Sequence, residues 1–156
     1  MFFPHVKPSL TRRILGACAA AVALMCNTHA ATAQKPLGSS AFPADSARSR
    51  KTTEESSQRS IVDTVTATLS KLEMHETTVP AGGASHPPHR HVHEEMIVVR
   101  SGTIETLLGT KKHSIGPGGV AFFASNQLHG LRNPGTVPAT YLVITIYPHD
   151  LPRDPR

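Results

Sequence analysis

The chain is expected to fold as a small all-β domain, a sandwich or barrel of short strands. Three observations carry that expectation. From Ile61 onward, short runs rich in Val, Ile, Thr and aromatic residues alternate with Gly, Pro and Asn. No long apolar stripe of helical period occurs in that stretch. Once an N-terminal leader is set aside, about 120 residues remain, enough for one domain around one core.

Residues 1–33 read as a secretory signal peptide rather than as part of the fold. Lys7, Arg12 and Arg13 supply a positive start, Ile14 to Cys26 a short apolar run, and Ala31-Thr32-Ala33 a small-residue cleavage site. The run is too short to span a membrane comfortably. No stable span is therefore expected after processing, and the protein is expected to be exported, to a periplasm or beyond the cell. Cys18 and Cys26, the two cysteines of the chain, leave with this segment. That excludes a disulfide framework, a cysteine-ligated zinc and a cysteine nucleophile from the mature protein. Three of the 16 basic residues leave as well, while all 11 acidic ones stay, so the net charge falls from +5 to +2. Nothing in that balance argues for nucleic acid as a partner, and no basic stripe with interleaved aromatics is present.

Residues 34–60 are rich in Ser, Ala, Lys and Arg and poor in large apolar groups, which predicts a flexible arm. The β domain is expected over residues 61–148. Candidate strands are Ile61–Leu69, Met74–Val79, Glu95–Arg100, Thr103–Leu108, Lys112–Ile115, Val120–Ala124, Gly130–Arg132 and Thr140–Tyr147. Turn signals separate them at Pro80-Ala81-Gly82-Gly83, Ser101-Gly102, Gly109-Thr110, Gly116-Pro117-Gly118 and Asn133-Pro134-Gly135. Residues 149–156 read as an exposed tail.

Two segments carry the candidate chemistry. The first runs from Gly83 through His86, His89, His91, His93, Glu94 and Glu95 to Gly102. The second runs from Gly118 through Ala124, Asn126 and His129 to Asn133. His89 and His91 are two apart, which on a strand puts both rings on one face. Glu95 can join them if the chain stays extended or turns once, and His129 must come from another strand. Three imidazoles and one carboxylate suit one divalent transition metal, with Fe, Mn, Ni, Co, Cu and Zn all compatible. In an octahedral field, four protein ligands leave two positions for a bidentate substrate, or for substrate and dioxygen.

These segments resemble the two motifs of the cupin superfamily. The first motif is Gly, five residues, His-x-His, three or four residues, Glu, six residues, Gly, and Gly83, His89, His91, Glu95 and Gly102 match every fixed position. The second is Gly, five residues, Pro-x-Gly, two residues, His, three residues, Asn, matched by Gly118, His129 and Asn133. Ala124 stands where Pro is usual and Asn126 where Gly is usual. Asn tolerates the left-handed backbone that Gly serves there, so the loop geometry is expected to survive. The resemblance implies a small antiparallel jelly-roll barrel with His89, His91, Glu95 and His129 as metal ligands.

Other residues read more plainly. Glu94 is a solvated neighbour, because Glu95 alone has the family spacing to Gly102. His86, His113 and His149 read as surface histidines, with His86 placed to line the mouth of the site. His93 serves the loop or is an additional coordinating or proton-shuttling group. Phe122, Phe123 and Tyr141 read as core or pocket wall, and Ile97, Val99 and Leu107 as core. The expected function is that of a secreted metal-dependent oxidoreductase, dioxygenase-like, acting on a small chelating organic substrate with Glu95 as general base. A lyase or isomerase using the metal as Lewis acid is the first alternative. A non-catalytic barrel that binds a sugar or small acid is the second. Small barrels of this kind pair through their sheets, so a homodimer is expected.

Overall fold

The computed structural model describes residues 34–51 and 56–152, with backbone alone for Arg48–Lys51. The segment read as a signal peptide lies outside the described residues. Among the described residues, no helix is long and apolar enough to cross a membrane. Within the described residues, a 3-10 turn at Ala44–Ser46 precedes nine strands. They are β1 (Arg48–Lys51), β2 (Ser57–Thr64), β3 (Leu69–Val79), β4 (Glu94–Ser101), β5 (Ile104–Leu108), β6 (Lys111–Ile115), β7 (Val120–Phe123), β8 (His129–Arg132) and β9 (Ala139–Pro148).

All pairings between strands are antiparallel. The strands form a six-stranded sheet, β1-β2-β3-β9-β4-β7, and a three-stranded sheet, β6-β5-β8. Together they make the jelly-roll barrel expected from the sequence. Alternation decides what fills it. On β9, Ala139, Tyr141, Val143 and Thr145 are buried, while the residues between them are partly exposed. Ile97 and Val99 of β4, Ile104 of β5, Ala121 and Phe123 of β7 and Leu131 of β8 join Val79 and β9 in one core cluster. Beyond β8, the smaller sheet is continued by isolated bridges from Ala84 to Arg132 and from His89 to His129. The long β3–β4 connection is thereby laid along β8, and with it the first histidine segment.

Two boundaries differ from the sequence reading. The single strand expected over Ile61–Leu69 is two strands with a turn between them. Thr66 makes that turn: its Oγ1 accepts from the backbone N–H of Thr68 at 3.3 Å and of Leu69 at 3.0 Å. A threonine-built turn in a β-branched run carries no Gly or Pro punctuation to read. The second difference lies in residues 34–60, read as a flexible arm. They contain β1 and the first half of β2, which pairs in register with β3 from Ser57↔Thr78 to Ser60↔His75. Arg59 fastens this strand, with Nη2 3.2 Å from Glu76 Oε1 and Nη1 donating to Ala44 O at 3.1 Å. Backbone pairing at a sheet margin needs little apolar surface, so composition alone underrated the segment. At the other end, Tyr147 donates its hydroxyl to Pro152 O, so the described part of the tail folds back on β9.

Candidate metal centre

His89 and His129 are brought together by their own backbones. His89 N–H donates to His129 O at 2.9 Å and His129 N–H returns to His89 O at 3.1 Å. Their ring centroids lie 4.6 Å apart. His91 is 4.6 Å from His129 and 5.2 Å from His89, ring to ring. Candidate ligand atoms of His89, His91 and His129 all lie within 4.8 Å of one another. Loop contacts hold this arrangement: Asn126 N–H donates to His91 O at 2.7 Å, and Arg90 Nη1 donates to Asn126 O at 2.7 Å. Asn126 adopts φ 59°, the left-handed conformation expected of it.

Ring orientation is set by backbone acceptors. His91 donates from Nδ1 to His93 O at 2.8 Å, and His129 donates from Nδ1 to Gln127 O at 2.9 Å. A carbonyl can only accept, so in both rings Nε2 carries the lone pair, as a metal ligand requires. Phe123 stacks on His129 at 4.3 Å and supports the ring from the core side. His89 Nδ1 and His129 Nε2 are buried with no hydrogen-bond partner. An unsatisfied buried polar atom costs about 1–3 kcal/mol. Two such nitrogens in one cluster fit a site built for a cation. Burial, reinforced by the neighbouring histidine charges, holds His89 down to about 4. Burial also lowers His129, against the opposing pull of Gln127 O and Glu95. Neutral imidazoles are the form that binds a metal.

Glu95 enters from β4. Its register places it with Ile97 and Val99 on the inner face, whereas Glu94 lies on the other face with Met96 and Val98. Glu95 Oε2 is 3.5 Å from His91 Nε2, and its side chain is 13% exposed. Burial works against its ionisation, but the hydrogen bond that His91 offers when protonated, and the positive charge that His91, His129 and His93 then carry, outweigh this and lower its value. Glu95 belongs to a second triad, His91, His93 and Glu95, that shares His91 with the first. His93 lies face to face on His91, 3.6 Å between centroids and 6° between planes, which gives it a closer place in the site than the sequence suggested.

Glu95, alone of the four candidate ligands, also lines a neighbouring cavity of about 160 Å³, with His75, Ser85, His86 and Tyr141 among its other walls. Tyr141 donates its hydroxyl to Ser85 Oγ at 3.0 Å. Burial pushes this phenol up to about 12, so it stays protonated. His86 meets His89 edge to face at 4.4 Å and lines the cavity wall. His113 is exposed and His149 reaches Thr66 O at 3.4 Å, both away from the cluster. Sequence reasoning missed His75 and its partner Glu73, whose Oε1 is 3.1 Å from His75 Nδ1. Their Glu-x-His spacing on a strand was the available signal, overlooked because it lies outside both motifs.

Comparison with known proteins bears on the fold. Residues 75–145 match a family model described as Cupin domain. No curated protein matches the chain. Among solved structures, an RmlC-like cupin from Shewanella frigidimarina superposes with a TM-score of 0.59 at 12% identity, covering 72% of this chain and 95% of that one. A cupin-superfamily sugar phosphate isomerase from Silicibacter pomeroyi gives 0.57 at 18% identity, over 72% and 83% of the two chains. A predicted oxalate decarboxylase from Thermotoga maritima gives 0.57 at 15% identity, over 69% and 99%. At these identities the likeness is one of fold.

Proposed function

The chain belongs to the cupin superfamily, and from that premise we propose that it is a metal-dependent enzyme acting on a compact chelating organic acid or carbonyl compound. The observation that carries this reading is the convergence of three histidines, two of them with buried unpartnered nitrogens, beside a small cavity that Glu95 lines. His89, His91 and His129 would hold the metal, with Glu95 as fourth ligand. When bound, a divalent metal supplies Lewis-acid polarisation of a substrate oxygen. The chain's own groups do the rest. The cavity, of about 160 Å³, admits only a few heavy atoms. Glu95 is held ionised, able to accept a proton, and Tyr141 is held neutral, able to donate a hydrogen bond. Proton transfer of this kind is lyase or isomerase chemistry. Two of the fold relatives carry names from those classes, an isomerase and a predicted decarboxylase.

The dioxygenase-like function expected from the sequence is the second reading. Its support is the complete three-histidine, one-glutamate set, which resembles the sets of the flavonol and acireductone dioxygenases and of oxalate-acting cupins. The two readings part on oxygen. Mn-, Fe- and Ni-loaded protein would be offered 2-oxo acids, 2-hydroxy acids and enediols, with and without air. Turnover that persists anaerobically and vanishes with a chelator supports proton transfer. Turnover that consumes oxygen supports the second reading. Neither turnover nor binding across the panel would overturn the enzyme reading and leave a non-catalytic barrel.

Export and pairing complete the proposal. The composition of residues 1–33 supports export to a periplasm or beyond. An apolar row on the outer face of the larger sheet supports a homodimer: Met74, Ile144, Met96 and Phe122 are cross-strand neighbours in register.

A further inference from the structure

The inner face of β3 carries an acid–base unit that the metal centre does not use. Glu73 is its hub. One carboxylate oxygen lies 3.1 Å from His75 Nδ1 and the other 2.6 Å from Lys71 Nζ. Lys71 also lies 3.8 Å from Asp63 Oδ1 on β2. The bond from His75 is the largest influence lowering Glu73, to about 2, against the opposing effect of burial. An ionised carboxylate can only accept, so His75 donates from Nδ1, which turns Nε2 away from Glu73 as the nitrogen that carries the lone pair whenever the ring is neutral. A solvated surface pair would look different: the His75 side chain is 13% exposed and that of Glu73 23%.

Register brings this unit to the candidate site. Glu73, Thr145 and Glu95 are successive cross-strand neighbours, and so are His75, Val143 and Ile97. Two strand spacings, roughly 10 Å, therefore separate the backbone of His75 from that of β4. His75 and Glu95 line the same cavity. A molecule of a few heavy atoms held at one wall reaches the other.

We propose that His75, oriented by Glu73, is the proton acceptor and donor for a compact 2-oxo acid bound in this cavity. The proposal rests on the reading of the cavity as a substrate site and, for this substrate class, assigns the proton transfer to His75 rather than to Glu95, which stays a metal ligand. His75 Nε2 takes a proton from the carbon next to the keto group. The electron pair of the broken C–H bond becomes the C=C bond of the enolate, and the carbonyl π pair moves to oxygen. The imidazolium so formed faces the Glu73 carboxylate, which stabilises it. Return of a proton to the same carbon re-forms the C=O bond, restores neutral His75 and completes exchange. No oxidant or reductant is consumed.

The test is deuterium incorporation into the methyl group of pyruvate in D2O, read by mass spectrometry with the purified manganese-loaded protein. Metal content and circular dichroism are recorded for each sample. Wild type is expected to exchange the methyl protons well above the buffer rate. His75→Gln is expected to lower that rate at least about ten-fold, with metal content and fold retained. His75→Ala with added imidazole is expected to recover part of the rate, which a structural role for the side chain would not allow. Glu73→Gln is expected to lower the rate as a positioning change. Exchange in His75→Gln at the wild-type rate would overturn the proposal, as would metal-loaded wild type that exchanges no faster than buffer. In both of those cases a bound metal leaves the metal reading intact. His75-dependent exchange in protein that takes up no metal would uphold this proposal and count against the metal reading instead.

Discussion

Asn133 shows what a motif residue can do without touching the chemistry. It is fully buried, and its amide donates to Val79 O, Pro80 O and Val137 O at 3.2, 3.0 and 2.7 Å. Its side-chain carbonyl accepts from Gly135 N–H at 2.9 Å, and its own N–H donates to Gly83 O at 2.9 Å. It thus ties the end of the second histidine segment to the start of the first. Asn133→Ala would remove all four side-chain hydrogen bonds of a fully buried residue, and a loss of about 2–4 kcal/mol is expected in chemical denaturation. Glu73 sets a pH dependence. Its folded value of about 2 lies below the ordinary 4.5. The unfolded chain therefore protonates first as pH falls. The contribution is complete above about pH 4.5 and is lost between there and about pH 2. Glu73→Gln is expected to flatten that limb of the melting-temperature profile and to cost about 1–2 kcal/mol at neutral pH, since Lys71 is partly in solvent. At this scale, the residues inside the two motifs were legible because their spacing matches a family. Glu73 and His75 were not, because only the β3 register shows which face they share.

Among the elements, β4 illustrates how a two-residue period selects a functional group. Ile97 and Val99 are buried, so Glu95 turns inward and Glu94 cannot follow it. The turn after β4 fixes that register. Gly102 has φ +72°, and a Cβ there would stand 2.7 Å from Ala139 Cβ and 2.8 Å from Ala139 Cα. Gly102→Ala therefore meets both a left-handed backbone and the β9 backbone. A loss of more than about 2 kcal/mol is expected in thermal denaturation. All eight candidate strands overlap strands of the barrel. Where boundaries slipped, the cause was local. Thr66 turns the chain with a hydroxyl rather than with Gly or Pro, and the polar β1–β2 segment is held by backbone pairing and Arg59 rather than by apolar burial.

For the whole molecule, the barrel was legible from strand texture together with both motifs. The metal was not, because imidazole and carboxylate donors serve several divalent ions. Substrate identity is equally absent from the sequence, since it depends on which side chains of β2, β3 and β9 close the cavity. The proposed homodimer has a direct check. Phe122 is 47% exposed at the end of the apolar row on the outer sheet face. Wild type is expected to scatter light as a dimer at micromolar concentration, and Phe122→Glu as a monomer with its fold retained. The central claim is that His89, His91, Glu95 and His129 form a metal centre. Elemental analysis of protein purified without a histidine tag tests it most directly, with wild type set against a His89→Ala, His129→Ala double variant. Near-stoichiometric transition metal in wild type and none in a folded double variant is the result expected. No metal in either protein, even after reconstitution with Fe, Mn, Ni, Co, Cu and Zn, would contradict it.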